Sequence, residues 1–185
     1  SMNTIKSLEK SGILTLEKQE VFRRPAVADV PPALPPVLNE EQQAAFDSLS
    51  GMLHSGDPHA ALLYGVTGSG KTSVIIRAID EALDSGKGVI MLLPEIALTP
   101  QTLKIFSSRY GRRIALVHSG LSAGERYDSY TRIRAGEADL VVGTRSAVFA
   151  PVQDLGLIII DEEHESTYKS DTTPKYHARD VARYR

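Results

Sequence analysis

The chain of 185 residues contains no cysteine, which excludes disulfide bonds and thiolate metal ligands within it. No apolar run approaches the roughly 20 residues that a membrane helix needs, and the first residues lack a signal-peptide hydrophobic region. Basic residues are not in excess, since the formal net charge is −2, so nucleic-acid contacts would have to come from local clusters. We therefore expect a soluble, cytoplasmic protein without a membrane partner.

Composition divides the chain into three segments. Hydrophobic residues make up 42% and charged residues 24% of the chain, as in an ordinary globular protein. Residues 1–24 are predicted to form a helix and a strand pair, too little to fold alone. Residues 25–37, "PAVADVPPALPPV", are proline-rich and are predicted to be a semi-rigid linker. The charged end "HARDVARYR" indicates a piece of a longer protein.

Residues 38–185 alternate apolar strands with helical segments. Asn39 is a plausible N-cap of the first helix. The predicted strands are "AALLY", "GVIMLL", "RIALVH", "ADLVVG" and "LGLIII". Near-continuous aliphatic strands separated by helices are typical of a parallel sheet covered on both faces, so the predicted class is α/β, doubly wound. In such sheets ligands bind at the carboxyl ends of the strands.

The first predicted strand is followed by "GVTGSGKT", residues 65–72, which matches the phosphate-binding loop pattern between a strand and a helix. Its glycines let backbone N–H groups and the helix N-terminus surround a polyphosphate. Lys71 would reach the β and γ phosphates, and Thr72 would bind magnesium. The alternative is a glycine-rich turn that only caps a helix. The candidate nucleotide-binding residues of this loop are Gly65, Thr67, Gly68, Ser69, Gly70, Lys71 and Thr72.

The most hydrophobic strand ends in three carboxylates and a histidine, "LIIIDEEH". In a nucleotide-binding sheet the carboxylate at this point, Asp161, holds the metal that bridges the phosphates. The next residue, Glu162, can orient the attacking water and accept its proton. A solvated acidic turn is the alternative. His164 is either a sensor of the γ-phosphate or a hydrogen-bonded structural histidine.

Polar groups also follow the other strands. "PEIALTPQ", "LVHSG" and "GTRSAVFAP" offer hydroxyls, backbone N–H groups and one guanidinium, which hold nucleic-acid phosphates without reading sequence. Alternatively, each motif is a helix cap and turn. Past the acidic motif, "ESTYKSDTTPKYHARD" interleaves tyrosines with cations, a combination that suits stacking on bases or an ordinary polar loop. The candidate nucleic-acid contacts are Thr144, Arg145, Ser146, Tyr168, Lys169, Tyr176 and Arg179.

Taken together, these motifs resemble those of a known family. "LNEEQ", "GVTGSGKT", "PEIALTPQ", "HSGLSAGER", "GTRSAVFAP", "DEEHESTYK" and "YHARD" have the order and spacing found in the first motor lobe of superfamily 2 helicases, specifically the primosomal replication-restart DNA helicases. The resemblance covers residues 38–185 and implies a RecA-like P-loop lobe. Other superfamily 2 translocases, such as an excision-repair helicase subunit, share the phosphate loop but not the long "PEIALTPQ" and "YHARD" segments.

The resemblance implies an ATP-dependent helicase that moves 3′ to 5′ on DNA and acts at stalled forks. ATP and Mg²⁺ are the implied cofactors, and forked or single-stranded DNA, primosome proteins and single-strand-binding proteins are the implied partners. Gln42 resembles the glutamine that reads adenine. Residues 168–179 resemble an aromatic-rich loop that couples DNA binding to hydrolysis, although Pro174 stands near a position where some members have tryptophan. Residues 1–24 resemble the tail of a winged-helix domain.

The family's second lobe, with its arginine finger and zinc-binding cysteines, has no counterpart among these 185 residues. We therefore expect no zinc in this chain, weak nucleotide binding and little hydrolysis. A different class of protein, a nucleotide-dependent scaffold that binds DNA or partners without turnover, would need no general base at Glu162. Physical chemistry alone leaves DNA and RNA open, because the predicted contacts are to phosphates and base faces.

Overall fold

The computed structural model describes residues 2–15 and 34–185. Within these residues the helices and strands follow one another in the α/β order that the sequence predicts. They are α1 (Met2–Lys10), α2 (Glu40–His54), α3 (Lys71–Asp84), β1 (Gly88–Leu92), α4 (Pro100–Tyr110), β2 (Ile114–Val117), α5 (Ala123–Arg134), β3 (Leu140–Gly143), β4 (Leu155–Ile160) and α6 (Ala178–Tyr184). Short 3₁₀ helices occupy Glu95–Ala97, Gly111–Arg113, Arg145–Phe149 and Ser166–Tyr168.

The four strands form one parallel sheet in the order β2-β3-β1-β4. Leu92, the last residue of β1, lies opposite Gly143 of β3 and Ile160 of β4. These strands therefore end at the same edge, and the residues that follow them are neighbours. The residues just after β3 and β4 are those for which the sequence predicts phosphate and metal contacts.

Helices cover both faces of the sheet because side chains of a strand alternate between its faces. On β1, Val89 and Met91 belong to a buried cluster with residues of α3 and α4, whereas Ile90 and Leu92 belong to a second cluster with residues of α5 and of the segment 147–150. This two-sided burial confirms the predicted doubly wound α/β class.

The start of α2 is fixed by a reciprocal cap. The Asn39 side chain accepts a hydrogen bond from the backbone N–H of Gln42, and the Gln42 side chain accepts one from the backbone N–H of Asn39. Farther along α2, Phe46 is buried, and the guanidinium carbon of Arg77 on α3 lies 5.0 Å from the centre of its ring. The contact between Phe46 and Arg77 packs the middle of α2 against the middle of α3.

The predicted strand "AALLY" is the main difference between sequence and structure. Residues 60–64 form no strand, and Leu62 and Tyr64 are 74% and 91% exposed. A strand needs a hydrogen-bonding neighbour, and in the part of the chain that the structure describes β4 pairs with β1 alone. The aliphatic residues of β4 are accordingly only half-buried. The strand prediction for this segment is therefore wrong in this structure.

The structure tests only part of the N-terminal predictions. Residues 2–10 form the predicted helix. The strand pair predicted within residues 1–24 and most of the linker predicted at residues 25–37 fall in 16–33, outside the described residues. Residues 34–39 have no regular secondary structure, and the linker predicted at residues 25–37 stays a prediction.

Candidate nucleotide site

The glycine-rich loop leads directly into α3. Gly70 is the N-cap of α3 and has a φ of 80°, and Gly68 has a φ of 82°. Only glycine adopts this left-handed region without strain, which explains why the loop carries glycine at both positions. The loop places the N-terminus of a 14-residue helix at the edge where the strands end, and such a terminus favours phosphate.

Lys71, the first residue of α3, folds its side chain back over the loop. Its Nζ donates hydrogen bonds to the carbonyl oxygen of Gly65 at 2.6 Å and to that of Val66 at 3.2 Å. The ammonium group is therefore held inside the turn of the loop by neutral acceptors. A phosphate oxygen entering the loop would offer a charged acceptor, which binds an ammonium more strongly.

Gln42 also contacts the loop. Its Nε2 donates to the carbonyl oxygen of Ser69 at 2.9 Å, and a Cβ added at Gly70 would collide with the Gln42 amide. The reciprocal cap with Asn39 positions this side chain. The predicted role of Gln42 in reading adenine stays a prediction, but its proximity to the phosphate loop agrees with a place in the nucleotide site.

Asp161 follows β4 at the same edge. Its backbone N–H donates to the carbonyl oxygen of Leu92 at 3.0 Å, and its Oδ1 accepts the N–H of Glu162 at 3.1 Å. Burial raises the pKa of Asp161, and the negative charge of Glu162 raises it further, whereas the Glu162 N–H and the charge of Lys71 lower it. The carboxylate thus lies near Lys71 in an environment that disfavours its charge, and a bound cation would relieve this.

The rest of the acidic motif faces outward. Glu162 has a φ of 46°, an unusual left-handed conformation for a residue with a side chain. His164 Nδ1 lies 3.8 Å from Glu162 Oε2, and Glu163 pairs with Arg179 at 3.1 Å. Both His164 and Glu162 have largely exposed side chains, so Glu162 is accessible to a water or a nucleotide.

The donor groups at this edge fit a magnesium ion that arrives with a nucleotide. No cluster of three or more His, Cys, Asp or Glu side chains within residues 2–15 and 34–185 could hold a metal ion, so these residues offer no complete set of protein ligands. Mg²⁺ commonly binds through one or two protein oxygens, several waters and the phosphates of its nucleotide. The Asp161 carboxylate and the Thr72 hydroxyl, which is exposed in the first turn of α3, are oxygen donors of that kind.

The structure gives the predicted nucleic-acid contacts unequal access to solvent. Thr144 is 4% exposed, and its backbone N–H donates to the carbonyl oxygen of Val117. Ser146 is half-buried. Arg145 donates to the carbonyl oxygens of Thr167 at 3.2 Å and Lys169 at 3.0 Å. Its guanidinium therefore holds the segment that follows the acidic motif.

Tyr168 is 1% exposed, so a base cannot stack on its ring in this conformation. The predicted direct contact of nucleic acid with Tyr168 is therefore wrong in this conformation, because the aromatic ring of this polar segment packs inward. Arg179 is engaged with Glu163, Lys169 is exposed, and Tyr176 packs edge-on against Phe149 at 4.9 Å between ring centres.

Sequence reasoning missed Phe149. Its side chain is 50% exposed beside Tyr176, which makes an aromatic pair at the surface near the exposed Lys175. An aromatic residue inside the strand-end motif "GTRSAVFAP" was the available signal. The surface that could face nucleic acid therefore includes a ring from the segment after β3 as well as one from the segment after β4.

A cavity among the described residues lies away from the glycine-rich loop. It has a volume of about 360 Å³ and contacts α3 and α4. Two of its charged residues, Arg109 and Asp80, form an ion pair, and the Tyr110 hydroxyl also donates to Asp80. Burial, chiefly, raises the pKa of Tyr110. These contacts join α3 to α4, and no residue of the glycine-rich loop lines the cavity.

Comparisons with known proteins agree with this arrangement. The family model described as "DEAD/DEAH box helicase" matches residues 39–182, which include both the glycine-rich loop and the acidic motif. No helix among the described residues is long and apolar enough to cross a membrane. The fold and the two motifs define a P-loop helicase lobe, and the chain belongs to the DEAD/DEAH box helicase family.

The similar curated proteins are replication restart proteins. The "Replication restart protein PriA" of Bacillus subtilis (strain 168) is 48% identical over 183 residues, which cover 98% of this chain and 23% of the relative. The proteins of the same name from Synechocystis sp. and Chlamydia pneumoniae are 44% and 43% identical and are covered to 22% and 25%. The predicted resemblance is confirmed, and the chain spans about a quarter of the length of these relatives.

Proposed function

We propose that this chain is the ATP-binding first motor lobe of a DNA helicase that moves 3′ to 5′ and acts in replication restart and primosome assembly at stalled forks. The observation that carries the proposal is that Asp161, after β4, lies close enough to Lys71, in the glycine-rich loop, for the charge of the lysine to lower the pKa of its carboxyl. The names of the relatives support the restart function. In this proposal residues 1–24 end a winged-helix domain, and residues 25–37 link it to the lobe at 38–185.

The site's residues divide the work of hydrolysis. The loop amides and Lys71 bind and orient the phosphates, while Thr72 and Asp161 would hold Mg²⁺, which neutralises charge on the phosphates when it is bound. Glu162 orients the attacking water and accepts its proton, a role that its exposed carboxylate permits. Such sites depend on positioning and electrostatics. We therefore expect substitution of any one of these residues to reduce hydrolysis.

Hydrolysis by this lobe alone is expected to be slow. An arginine finger supplied by another element commonly accelerates phosphoryl transfer by roughly 10³ to 10⁵, and in this proposal the second motor lobe supplies it. The isolated chain would then bind nucleotide weakly with little turnover. Rapid turnover by the isolated chain would contradict this division of labour between the two lobes.

The proposed nucleic-acid surface lies beside the hydrolytic motif. Its exposed elements are Lys169 and Phe149, and the half-buried Tyr176, edge-on to Phe149, and Ser146 lie in the same segments. Arg179 could exchange its ion pair with Glu163 for a phosphate. Cations next to aromatic rings suit binding to single strands. We propose DNA rather than RNA, and primosome and single-strand-binding proteins as partners, on the strength of the relatives.

The test of this function is nucleic-acid-stimulated ATP hydrolysis in a protein that extends this chain to the full length of its relatives. Forked DNA, linear duplex DNA and single-stranded RNA are compared, with Glu162→Gln beside the unsubstituted protein. We expect forked DNA to stimulate most and the substitution to abolish turnover while nucleotide binding persists. Equal stimulation by all three nucleic acids would remove the fork-specific function, and turnover that survives Glu162→Gln would remove its role as the base.

Gln42 provides a separate prediction about base selection. We propose that its side chain exchanges the Ser69 carbonyl for the adenine edge of ATP. Because one such hydrogen bond contributes about 1 kcal/mol, Gln42→Ala is expected to reduce the preference for ATP over GTP by about five- to tenfold. Competition binding with both nucleotides measures this. Gln43→Ala, one position farther along α2, is the matched control, and an unchanged ATP preference in Gln42→Ala would contradict the assignment.

A further inference from the structure

The hydroxyl of Tyr168 joins the ends of two strands. It lies 3.1 Å from the carbonyl oxygen of Leu92, the last residue of β1, and 2.6 Å from the carbonyl oxygen of Asp161, the first residue after β4. The residue is 1% exposed, so water does not compete for these bonds. A single phenolic proton is therefore shared between two strand ends at the point where the acidic motif begins.

This contact adds to the hydrogen bond that the sheet itself provides there. Leu92 O also accepts the backbone N–H of Asp161 at 3.0 Å, so the Asp161 backbone is held on its N–H side by β1 and on its carbonyl side by Tyr168. The carbonyl of Asp161 belongs to the peptide that continues into Glu162. Fixing that peptide fixes the directions in which both carboxylates leave the main chain.

Arg145 fixes the tyrosine in turn. Its Nη1 donates to the carbonyl oxygens of Thr167 and Lys169, the residues directly before and after Tyr168. Arg145 itself begins the short helix that follows β3. Arg145, which follows β3, thus binds the backbone on both sides of Tyr168, while the tyrosine hydroxyl binds carbonyl groups at the ends of β1 and β4.

We propose that Tyr168 is a positioning residue for Asp161 and Glu162, and that Arg145 holds Tyr168 in place. This inference rests on the proposed nucleotide function, since it concerns how the same site is kept ready for a magnesium nucleotide. Tyr168 touches neither nucleotide nor metal. It acts by limiting the movement of the peptide that carries the two acids, in the way that groups behind metal ligands commonly orient them.

The test compares two substitutions that each remove one buried tyrosine hydroxyl from this chain. Tyr168→Phe removes the strand-end contact, and Tyr110→Phe removes a hydroxyl that contacts Asp80 and the Ile76 carbonyl on the α3 side. For each variant the affinity for a fluorescent ATP analogue is measured with Mg²⁺ and with chelator, together with the melting temperature. The ratio of the two affinities isolates the contribution of Mg²⁺.

We expect Tyr168→Phe to reduce that ratio about tenfold, the size commonly found when groups behind metal ligands are removed, with binding in chelator unchanged. Arg145→Gln should reduce it in the same direction. Tyr110→Phe should lower the melting temperature and leave the ratio unchanged. An unaltered ratio in Tyr168→Phe would overturn the inference alone, whereas no nucleotide binding by the unsubstituted chain would overturn the proposed function and the inference with it.

Discussion

Lys71→Ala is expected to weaken ATP binding by about 100-fold. The ammonium donates hydrogen bonds to the carbonyl oxygens of Gly65 and Val66, which are neutral acceptors. A hydrogen bond between a phosphate oxygen and the charged ammonium contributes about 1.5–3 kcal/mol to binding. A 100-fold loss corresponds to about 2.8 kcal/mol, which lies within the range for one such contact. Titration of this chain with a fluorescent ATP analogue in the presence of Mg²⁺ measures it.

The matched control is Lys104→Ala. It removes the same charge from an exposed position on α4, so it reports any effect of net charge on nucleotide affinity. The affinity of this control should stay within about twofold of the unsubstituted chain, since exposed charges are screened by salt over about 10 Å. If both substitutions weakened ATP equally, long-range attraction rather than a contact at the phosphate loop would explain the loss, and the assignment of Lys71 would fall.

The sequence predicted the parts of the site that depend on local chemistry. Glycine at positions 68 and 70 is required by their left-handed backbone, and the reciprocal cap of Asn39 and Gln42 is formed by residues three positions apart. Strand-end carboxylates could be placed because the strands of a parallel sheet end at a common edge. In each case the signal and its structural consequence lie within a few residues of one another.

Contacts between distant segments could not be predicted in the same way. The sequence predicts that Tyr168 contacts nucleic acid, yet its ring is buried and its hydroxyl contacts the carbonyl oxygen of Leu92, 76 residues away. The sequence also gives no sign that the guanidinium of Arg145 binds the backbone of the segment 167–169. The segment 60–64 has strand composition but lacks a strand partner in the described residues. Composition indicates the secondary structure and burial that a segment favours, whereas contacts with distant segments decide which of them it adopts.

Glu162→Gly is expected to stabilise the protein while removing catalysis. The backbone of Glu162 has a φ of 46°, and this region costs a residue with a side chain about 1–2 kcal/mol. Glycine relieves that strain, although its greater freedom in the unfolded chain offsets part of the gain. We expect a net gain of about 0.5–1 kcal/mol, or a rise of about 1–4 °C in melting temperature. Turnover should fall by about 10² to 10⁴ because Glu162 is the proposed general base.

Two controls separate strain from chemistry. Asp154→Gly changes the other described non-glycine residue with a positive φ, 45°. It should stabilise the chain without altering hydrolysis. The gain should be smaller than that of Glu162→Gly because aspartate tolerates this backbone region better. Glu162→Gln should lose turnover without gaining stability, since it keeps the strained backbone. Calorimetry on this chain and hydrolysis assays on a protein of the relatives' full length measure the two effects. A lower melting temperature in Glu162→Gly would mean that the backbone of Glu162 carries no strain. The protein would then lose no stability by positioning this carboxylate.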